Sequence, residues 1–454
     1  MMKKQTTRRL STTHVIMLSF VLVILLGSLL LSLPISAADG KALPYVDALF
    51  TATTATCVTG LVTVPTVSAW STFGHIVILV LIQIGGLGVI TVLSGVMISL
   101  HKRLGLRDSH LLADAFNLNT MSDMAKFVKS VIIGTLTVEG IGALLYMPVF
   151  VPRFGARGIW IAVFNAISAF CNAGIDIFAE NSLCDYACHP LVNFVTCALV
   201  VLGGLGYIVW WDVLRVLKRF KTHGFRCFSQ LTLHSKIVLL ATPLLIIGGG
   251  ALILALEYNN PQTIGALSLF DKIQVSLFQS VTTRTAGFAS VPQEALRDAT
   301  ALLCVVLMFI GGSPVGTAGG AKTVTIVVLA AAAVCTFKNR SRVTLLNRTV
   351  AESAVRKAVA VAGMSFTILA VSTLLLSAVT QAPVLDVLYE TASATATVGL
   401  TRNLTPTLNV WGKLIVIGTM YLGRVGPISL AIAMNVGAPA HNGIKYPTEE
   451  ISVG

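Results

Sequence analysis

Residues 47–61 read Asp47-Ala48-Leu49-Phe50-Thr51-Ala52-Thr53-Thr54-Ala55-Thr56-Cys57-Val58-Thr59-Gly60-Leu61. A short stretch rich in alanine and threonine runs into a polar segment closed by glycine. Similar endings return as Phe170-Cys171-Asn172-Ala173-Gly174, Thr283-Arg284-Thr285-Ala286-Gly287 and Thr395-Ala396-Thr397-Val398-Gly399. Each copy lies between long apolar segments, so the four can meet around a single axis. Four loops whose backbone carbonyls replace the water around an ion are how a membrane filter is built. The pattern predicts a cation pore made from four covalently joined, unequal segments.

Glycine at the last position has a physical reason. Without a Cβ it adopts positive φ readily and can turn successive carbonyls toward one axis. An ion-sized charge moved into low dielectric costs on the order of 20 kcal/mol, so oxygen ligands must replace its water. The candidate filter residues are Thr56, Cys57, Val58, Thr59 and Gly60; Cys171, Asn172, Ala173 and Gly174; Thr283, Thr285, Ala286 and Gly287; and Thr395, Ala396, Thr397, Val398 and Gly399. Arg284 is expected behind the filter, paired with a carboxylate or with backbone carbonyls. Asp47, Asp386 and Asp271, near the starts of the short helices, are expected to cap them, a contribution of about 1 kcal/mol each.

Composition places these segments in a bilayer. The 454 residues are 55% hydrophobic and 11% charged, with a mean hydropathy of +0.84, whereas soluble domains carry about 25% charged residues. Apolar runs near twenty residues are long enough to cross a bilayer as helices. Eight are predicted, at about 14–36, 73–100, 126–152, 190–214, 234–257, 300–335, 352–380 and 411–437. The first resembles a signal peptide, but its apolar run is longer than a usual signal core. It is expected to be retained as the first helix of the first repeat.

Charge sets the orientation. Of 32 Lys and Arg, 22 fall in the N-terminus, the linkers Lys102–Lys129, Arg215–Lys236 and Lys338–Lys357, and the C-terminal tail. The positive-inside rule puts these regions and both termini in the cytoplasm, so the filter segments enter from outside. The net charge of +13 is accounted for by linkers near anionic lipid and calls for no nucleic acid.

Internal similarity organises the chain. Pro44 aligns with Pro383, Asp47 with Asp386, Thr56 with Thr395 and Gly60 with Gly399; Gly74, Gly85 and Gly88 then meet Gly412, Gly423 and Gly426. The predicted fold is an all-α polytopic membrane protein. It has eight transmembrane helices in four helix–pore-loop–helix repeats, with pseudo-four-fold symmetry around one pore. A cytoplasmic N-terminus (1–13) precedes repeat 1 (14–100), repeat 2 (126–214), repeat 3 (234–335), repeat 4 (352–437) and a cytoplasmic tail (438–454).

The repeats stop matching beneath the filter. Repeat 3 carries Gly311-Gly312-Ser313-Pro314-Val315-Gly316-Thr317-Ala318-Gly319-Gly320-Ala321-Lys322-Thr323. So much glycine and proline cannot sustain a helix interior. Irregular backbone is tolerated at membrane depth only where it is buried in protein or lines a cavity. This stretch is read as a gate formed by Gly311, Gly312, Ser313, Gly316, Gly319, Gly320 and Lys322. Arg424 replaces Gly86, Gly204 and Gly312 of the other repeats; an intramembrane charge costs roughly 2.5–3.5 kcal/mol on insertion scales. It is expected to face the path below the filter as a barrier to cations.

With these residues in place, the chain resembles the Trk/Ktr/HKT superfamily of potassium transporters, most closely its bacterial Ktr-type membrane subunits. The resemblance rests on residues 47–61, on Gln83-Ile84-Gly85-Gly86-Leu87-Gly88, on the 311–323 loop and on Gly423-Arg424-Val425-Gly426-Pro427. It implies a bacterial cell-membrane homodimer with one pore per subunit, gated by a cytoplasmic ring of regulatory subunits. Glycine in all four filters resembles the potassium-selective members. The transported ion would be K+, with Na+ a second candidate. ATP, ADP or NAD would bind the regulatory partner, because this chain has no nucleotide-binding glycine fingerprint and needs no cofactor. Sodium-coupled or sodium-conducting transport is the alternative. A membrane enzyme is a remote one, because the histidines are scattered and Glu139 is the lone mid-span carboxylate.

Overall fold

The computed structural model describes residues 12–99, 124–219, 224–340 and 342–426. The segment before residue 12, most of the basic linker 102–129, Pro427, the end of the eighth expected span and the tail 438–454 lie outside the described residues. The chain is built mainly of helices, which follow a recurring order. A long helix comes first, then a short one, then one of intermediate length that breaks at or near a glycine.

The long helices are α1 (Thr12–Leu31), α5 (Met124–Phe154), α9 (Leu233–Glu257) and α13 (Glu352–Val379). The short ones are α2 (Tyr45–Cys57), α6 (Arg157–Phe170), α10 (Leu269–Thr282) and α14 (Val384–Ala396). After these come the pair α3 (Thr72–Leu87) and α4 (Val89–Ser99), the pair α7 (Pro190–Leu205) and α8 (Tyr207–Leu217), and α11 (Asp298–Ile310) with α12 (Thr323–Phe337). The last is α15 (Val410–Val425). A small hairpin of β1 (Thr344–Leu345) and β2 (Arg348–Thr349) joins α12 to α13.

Local chemistry sets the boundaries. Side-chain oxygens of Ser71, Thr232, Ser268 and Asn409 accept the first amides of α3, α9, α10 and α15, satisfying donors a helix start leaves open. Asp271 and Asp386 lie in first turns but do not cap, and neither does Asp47. Ser268 caps α10, while α2 and α14 start after Pro44 and Pro383 with no side-chain cap.

Four helices among the described residues are long and apolar enough to cross a membrane alone, or five if the bent α7–α8 pair is one span. Several expected continuous spans are therefore interrupted. Gly88 at φ 86° separates α3 from α4, and Gly206 at φ 91° separates α7 from α8 with a 96° bend. The 300–335 span, by contrast, was expected to be irregular at 311–323, and it is two helices with that glycine-rich stretch between them.

Polarity is arranged inside out. Leu18, Leu22, Leu240, Leu244, Phe366 and Leu374 of the long helices are exposed, while Thr51, Thr53, Thr54, Ser168, Gln279, Thr391 and Ser393 of the short helices are buried. Such a surface suits lipid and such an interior does not. Each short helix packs on its own flanks and on an intermediate helix of the preceding unit. The pairs are α2 on α15, α6 on α3, α10 on α7 and α14 on α11. These contacts close into a ring.

Candidate functional site

All four glycine-ended segments leave the C-termini of the short helices with the same backbone device. Two residues before each glycine, the chain enters the left-handed region: Val58 (φ 55°), Asn172 (φ 59°), Thr285 (φ 69°) and Thr397 (φ 51°). The glycines follow at φ 96° for Gly60, 63° for Gly174, 83° for Gly287 and 99° for Gly399. Holding three non-glycine, non-asparagine residues there is costly, of order 1–3 kcal/mol each, and such strain collects at functional sites.

The glycines face one another. A Cβ on Gly60 would lie 2.5 Å from the Ala173 carbonyl, one on Gly174 2.5 Å from that of Ala286, and one on Gly287 2.5 Å from that of Val398. One on Gly399 would strike the Thr59 carbonyl. Each glycine thus meets the carbonyl preceding the glycine of the next segment, in the order 60, 174, 287, 399 and back to 60. No other residue leaves room for this approach.

Hydroxyl groups of the short helices fix these turns. The Gly60 amide donates to Thr54 Oγ1 (2.9 Å) and the Gly399 amide to Ser393 Oγ (3.0 Å). Ser168 Oγ donates to the Ile175 carbonyl (2.6 Å), and Thr282 Oγ1 to that of Phe288 (2.6 Å). These four were absent from the sequence expectations, although each lies five or six residues before its glycine. Glu390 was also missed; it is fully buried and accepts from Thr401 (2.6 Å) and Thr405 just past the fourth segment.

The remaining filter candidates divide by orientation. The buried hydroxyls of Thr56, Thr59, Thr395 and Thr397 have no protein partner. Thr283 is satisfied within α10 by Ser280, and Thr285 accepts the Gly319 amide at 3.2 Å. The two cysteines turn away: Cys57 packs in an apolar cluster, and the Cys171 thiol faces Glu139 (3.7 Å) and Gln83. Gln83 Nε2 also donates to Glu139 (3.3 Å), so this buried carboxylate sits behind the second segment. Arg284 is buried and donates to the Gly311 carbonyl (3.4 Å), a backbone partner.

Beneath the segments, the stretch between α11 and α12 is tied to several units. Its Ser313 and Thr317 amides donate to the Gly204 (3.0 Å) and Gly203 (3.2 Å) carbonyls, and Tyr207 donates to Val315 (3.0 Å). Thr317 Oγ1 lies 2.8 Å from the Asn172 side-chain oxygen. Gly319 is seated so tightly against Ala396 and Thr397 that a side chain would collide with both. Lys322 Nζ donates to the Ala318 carbonyl (2.5 Å) within the loop. From the fourth unit, Arg424 donates to the carbonyls of Thr317 (2.5 Å) and Gly85 (2.6 Å).

Above the segments lies a cavity of about 360 Å3, floored by the four glycines and walled in part by Asp176, Glu180 and Glu294. Burial pushes the Asp176 carboxyl up to about 7, against hydrogen bonds from Ser182 and the Ala179 backbone. Two ion pairs brace the N-terminal ends of two short helices. Asp47 of α2 meets Lys413 of α15 at 2.5 Å, and Asp386 of α14 meets Arg402 at 2.6 Å. Arg402 also donates to the Gln293 and Leu296 carbonyls of the third unit. Cys184 and Cys188 are free thiols.

Apolar long helices around a polar centre of short helices and carbonyl-lined turns define a multi-pass membrane transport protein. A family model described as TrkH, cation transport protein, matches residues 2–446, and the chain belongs to this family. It is 37% identical over 459 residues to the potassium/sodium uptake protein NtpJ of Enterococcus hirae, covering 100% of this chain and 99% of that protein. It is also 37% identical to the Ktr system potassium uptake protein B of Bacillus subtilis, covering 98% and 97%. The potassium transporter TrkH of Vibrio parahaemolyticus shares the fold, with a TM-score of 0.73 and 17% identity over 95% of this chain and 86% of that one.

Proposed function

We propose that the chain is the ion-translocating subunit of a potassium uptake system, with one K+-selective path through the four glycine-ended segments. The carrying observation is the closed ring of Gly60, Gly174, Gly287 and Gly399, each against the next segment's carbonyl. Alternating backbone signs before each glycine turn carbonyls to one side, and the unpartnered Thr56, Thr59, Thr395 and Thr397 hydroxyls add oxygens with no protein donor to satisfy. A dehydrated cation needs such ligands. In this reading the eight helical spans form four pore-loop repeats around that path, with both termini in the cytoplasm of a bacterial cell.

The 311–323 stretch, pinned by Arg424, is the closed gate beneath the filter. Its bonds to the second and fourth units block the axis directly under the fourth segment, and the guanidinium repels a descending cation. Opening requires the Arg424–Thr317 contact to break and the loop to swing away. The relatives' printed names describe potassium uptake proteins of a multi-part Ktr system; in this reading a cytoplasmic nucleotide-binding regulatory subunit does that work, acting on a homodimer. Flux itself is downhill: a negative-inside potential contributes about 2.3 kcal/mol per charge per 100 mV.

Sodium coupling or conduction is the second reading, favoured by the printed name of the NtpJ relative. One experiment separates the two. A potassium-uptake-deficient bacterium expressing this chain with its regulatory subunit is grown at low potassium, with and without added sodium. Growth without sodium supports the K+ reading; strict dependence on sodium overturns it; no growth in either case, with protein in the membrane, removes both.

A further inference from the structure

We propose that the β1–β2 hairpin is a membrane-interface anchor that binds anionic phospholipid headgroups and holds the far end of the helix leaving the gate loop. The hairpin pairs Thr344 with Thr349 and Leu345 with Arg348, leaving Leu346 and Asn347 as a two-residue turn at φ 48° and 60°. Turns with both φ positive favour asparagine and glycine. Asn347 fits that chemistry and Leu346 does not. Leucine here is strained by its own Cβ and yet 48% exposed. An apolar side chain held outward at such a position is explained by what lies outside it.

The surroundings identify that environment. Phe337, the last residue of α12, is 88% exposed, the highest value among the exposed large apolar residues described. Around Phe337 and Leu346 in the chain stand Lys338, Arg340, Arg342, Arg348, Arg356 and Lys357, against the single acid Glu352. Glu352 is taken by Arg356 at 2.9 Å, and the ion pairs among the described residues involve none of the other five cations. Isolated apolar tips among unpaired cations are the composition of a segment that lies in the headgroup layer of an anionic leaflet. A protein-binding patch would present a contiguous apolar centre instead.

Position agrees with composition. The 28 residues of α13 extend about 42 Å at 1.5 Å per residue. The hydrocarbon core is about 30 Å thick and the bilayer with headgroups about 40–45 Å. The first turns of α13 and the hairpin before them therefore fall at phosphate level. The inward-facing leaflet follows from the orientation proposed above. Because α12 runs directly from Lys322 to Phe337, lipid held at the hairpin fixes one end of the helix whose other end is the gate loop.

The test reads bound lipid and needs no flux, so it stands whether or not the chain carries potassium. The full chain, and its variants Arg340→Gln/Arg342→Gln/Arg348→Gln and Leu346→Gly, are purified in mild detergent from one bacterial membrane. Phosphatidylglycerol retained per chain is then counted by lipid extraction and mass spectrometry. Glycine suits the turn better than leucine, so Leu346→Gly preserves the hairpin while removing its apolar tip. We expect retention to fall by about twofold or more in the triple variant and measurably in Leu346→Gly, in line with the additive pull of basic residues on anionic lipid. Unchanged retention in both overturns the proposal. So does unchanged lipid with loss of a co-purifying cytoplasmic protein, which would assign the hairpin to a protein partner.

Discussion

Arg424 donates to the carbonyl of Thr317 at 2.5 Å, so a cation from the fourth unit holds the loop of the third. Its second bond, to Gly85, anchors the same guanidinium in the first unit. The fork matters as much as the charge, because an ammonium cannot reach two carbonyls in fixed directions.

Removing that fork should open the path. Hydrogen bonds to charged groups contribute about 1.5–3 kcal/mol each, so losing two shifts the closed–open balance by roughly two orders of magnitude or more. We expect Arg424→Ala to raise rubidium leak into vesicles without the regulatory subunit, and Arg424→Lys to give an intermediate leak. A folded Arg424→Ala protein with lower flux would make the residue a brace required for conduction.

Gly60→Ser tests the ring. At φ 96° and with the Ala173 carbonyl 2.5 Å from where a Cβ would sit, serine must push the second segment outward. We expect the rubidium-to-sodium uptake ratio to fall about tenfold, which corresponds to about 1.4 kcal/mol. An unchanged ratio would remove Gly60 from the filter.

Thr54→Ala leaves the buried Gly60 amide without its acceptor, at a cost of about 1–3 kcal/mol. Selectivity is expected to drop while membrane expression holds, and Thr54→Ser, which keeps the hydroxyl, is expected to restore it. Equal ratios for Thr54→Ala and wild type would show the bond to be dispensable.

The cavity above the glycines should titrate. Burial raises Asp176 to about 7, so the carboxyl is charged above that pH and neutral below it. Negative charge attracts the incoming cation, so uptake at limiting potassium should fall as external pH drops from about 8 to about 6. Asp176→Asn should flatten that step and run at the acid-limb rate throughout. A pH step that survives in Asp176→Asn would place the titrating group elsewhere.

Sequence carried the parts of this architecture that depend on glycine and hydropathy. Four glycine endings and the broken stretch at 311–323 were legible because backbone with positive φ selects its residue type. Arg424 was legible because charge in an apolar run has no neutral explanation. The breaks at Gly88 and Gly206 were not, since isolated glycines in an apolar run also serve helix packing. The hydroxyls of Thr54, Ser168, Thr282 and Ser393 were hidden among other threonines and serines, and only the fold shows which one reaches the turn. Asp47 and Asp386 looked like helix caps; their partners Lys413 and Arg402 come from far along the chain or from beyond the filter.

The position of each glycine against its neighbour's carbonyl gives the ring a direction. Pressure from a side chain at one site falls hardest on the segment that follows it around the axis, and less on the one before. In an assembly of identical subunits, one codon change would strike all four quadrants together. Here a single substitution distorts one quadrant and leaves relief to a second change in the next. The lineage of such a chain can therefore vary the ring one quadrant at a time, with compensating changes expected first in the segment that follows.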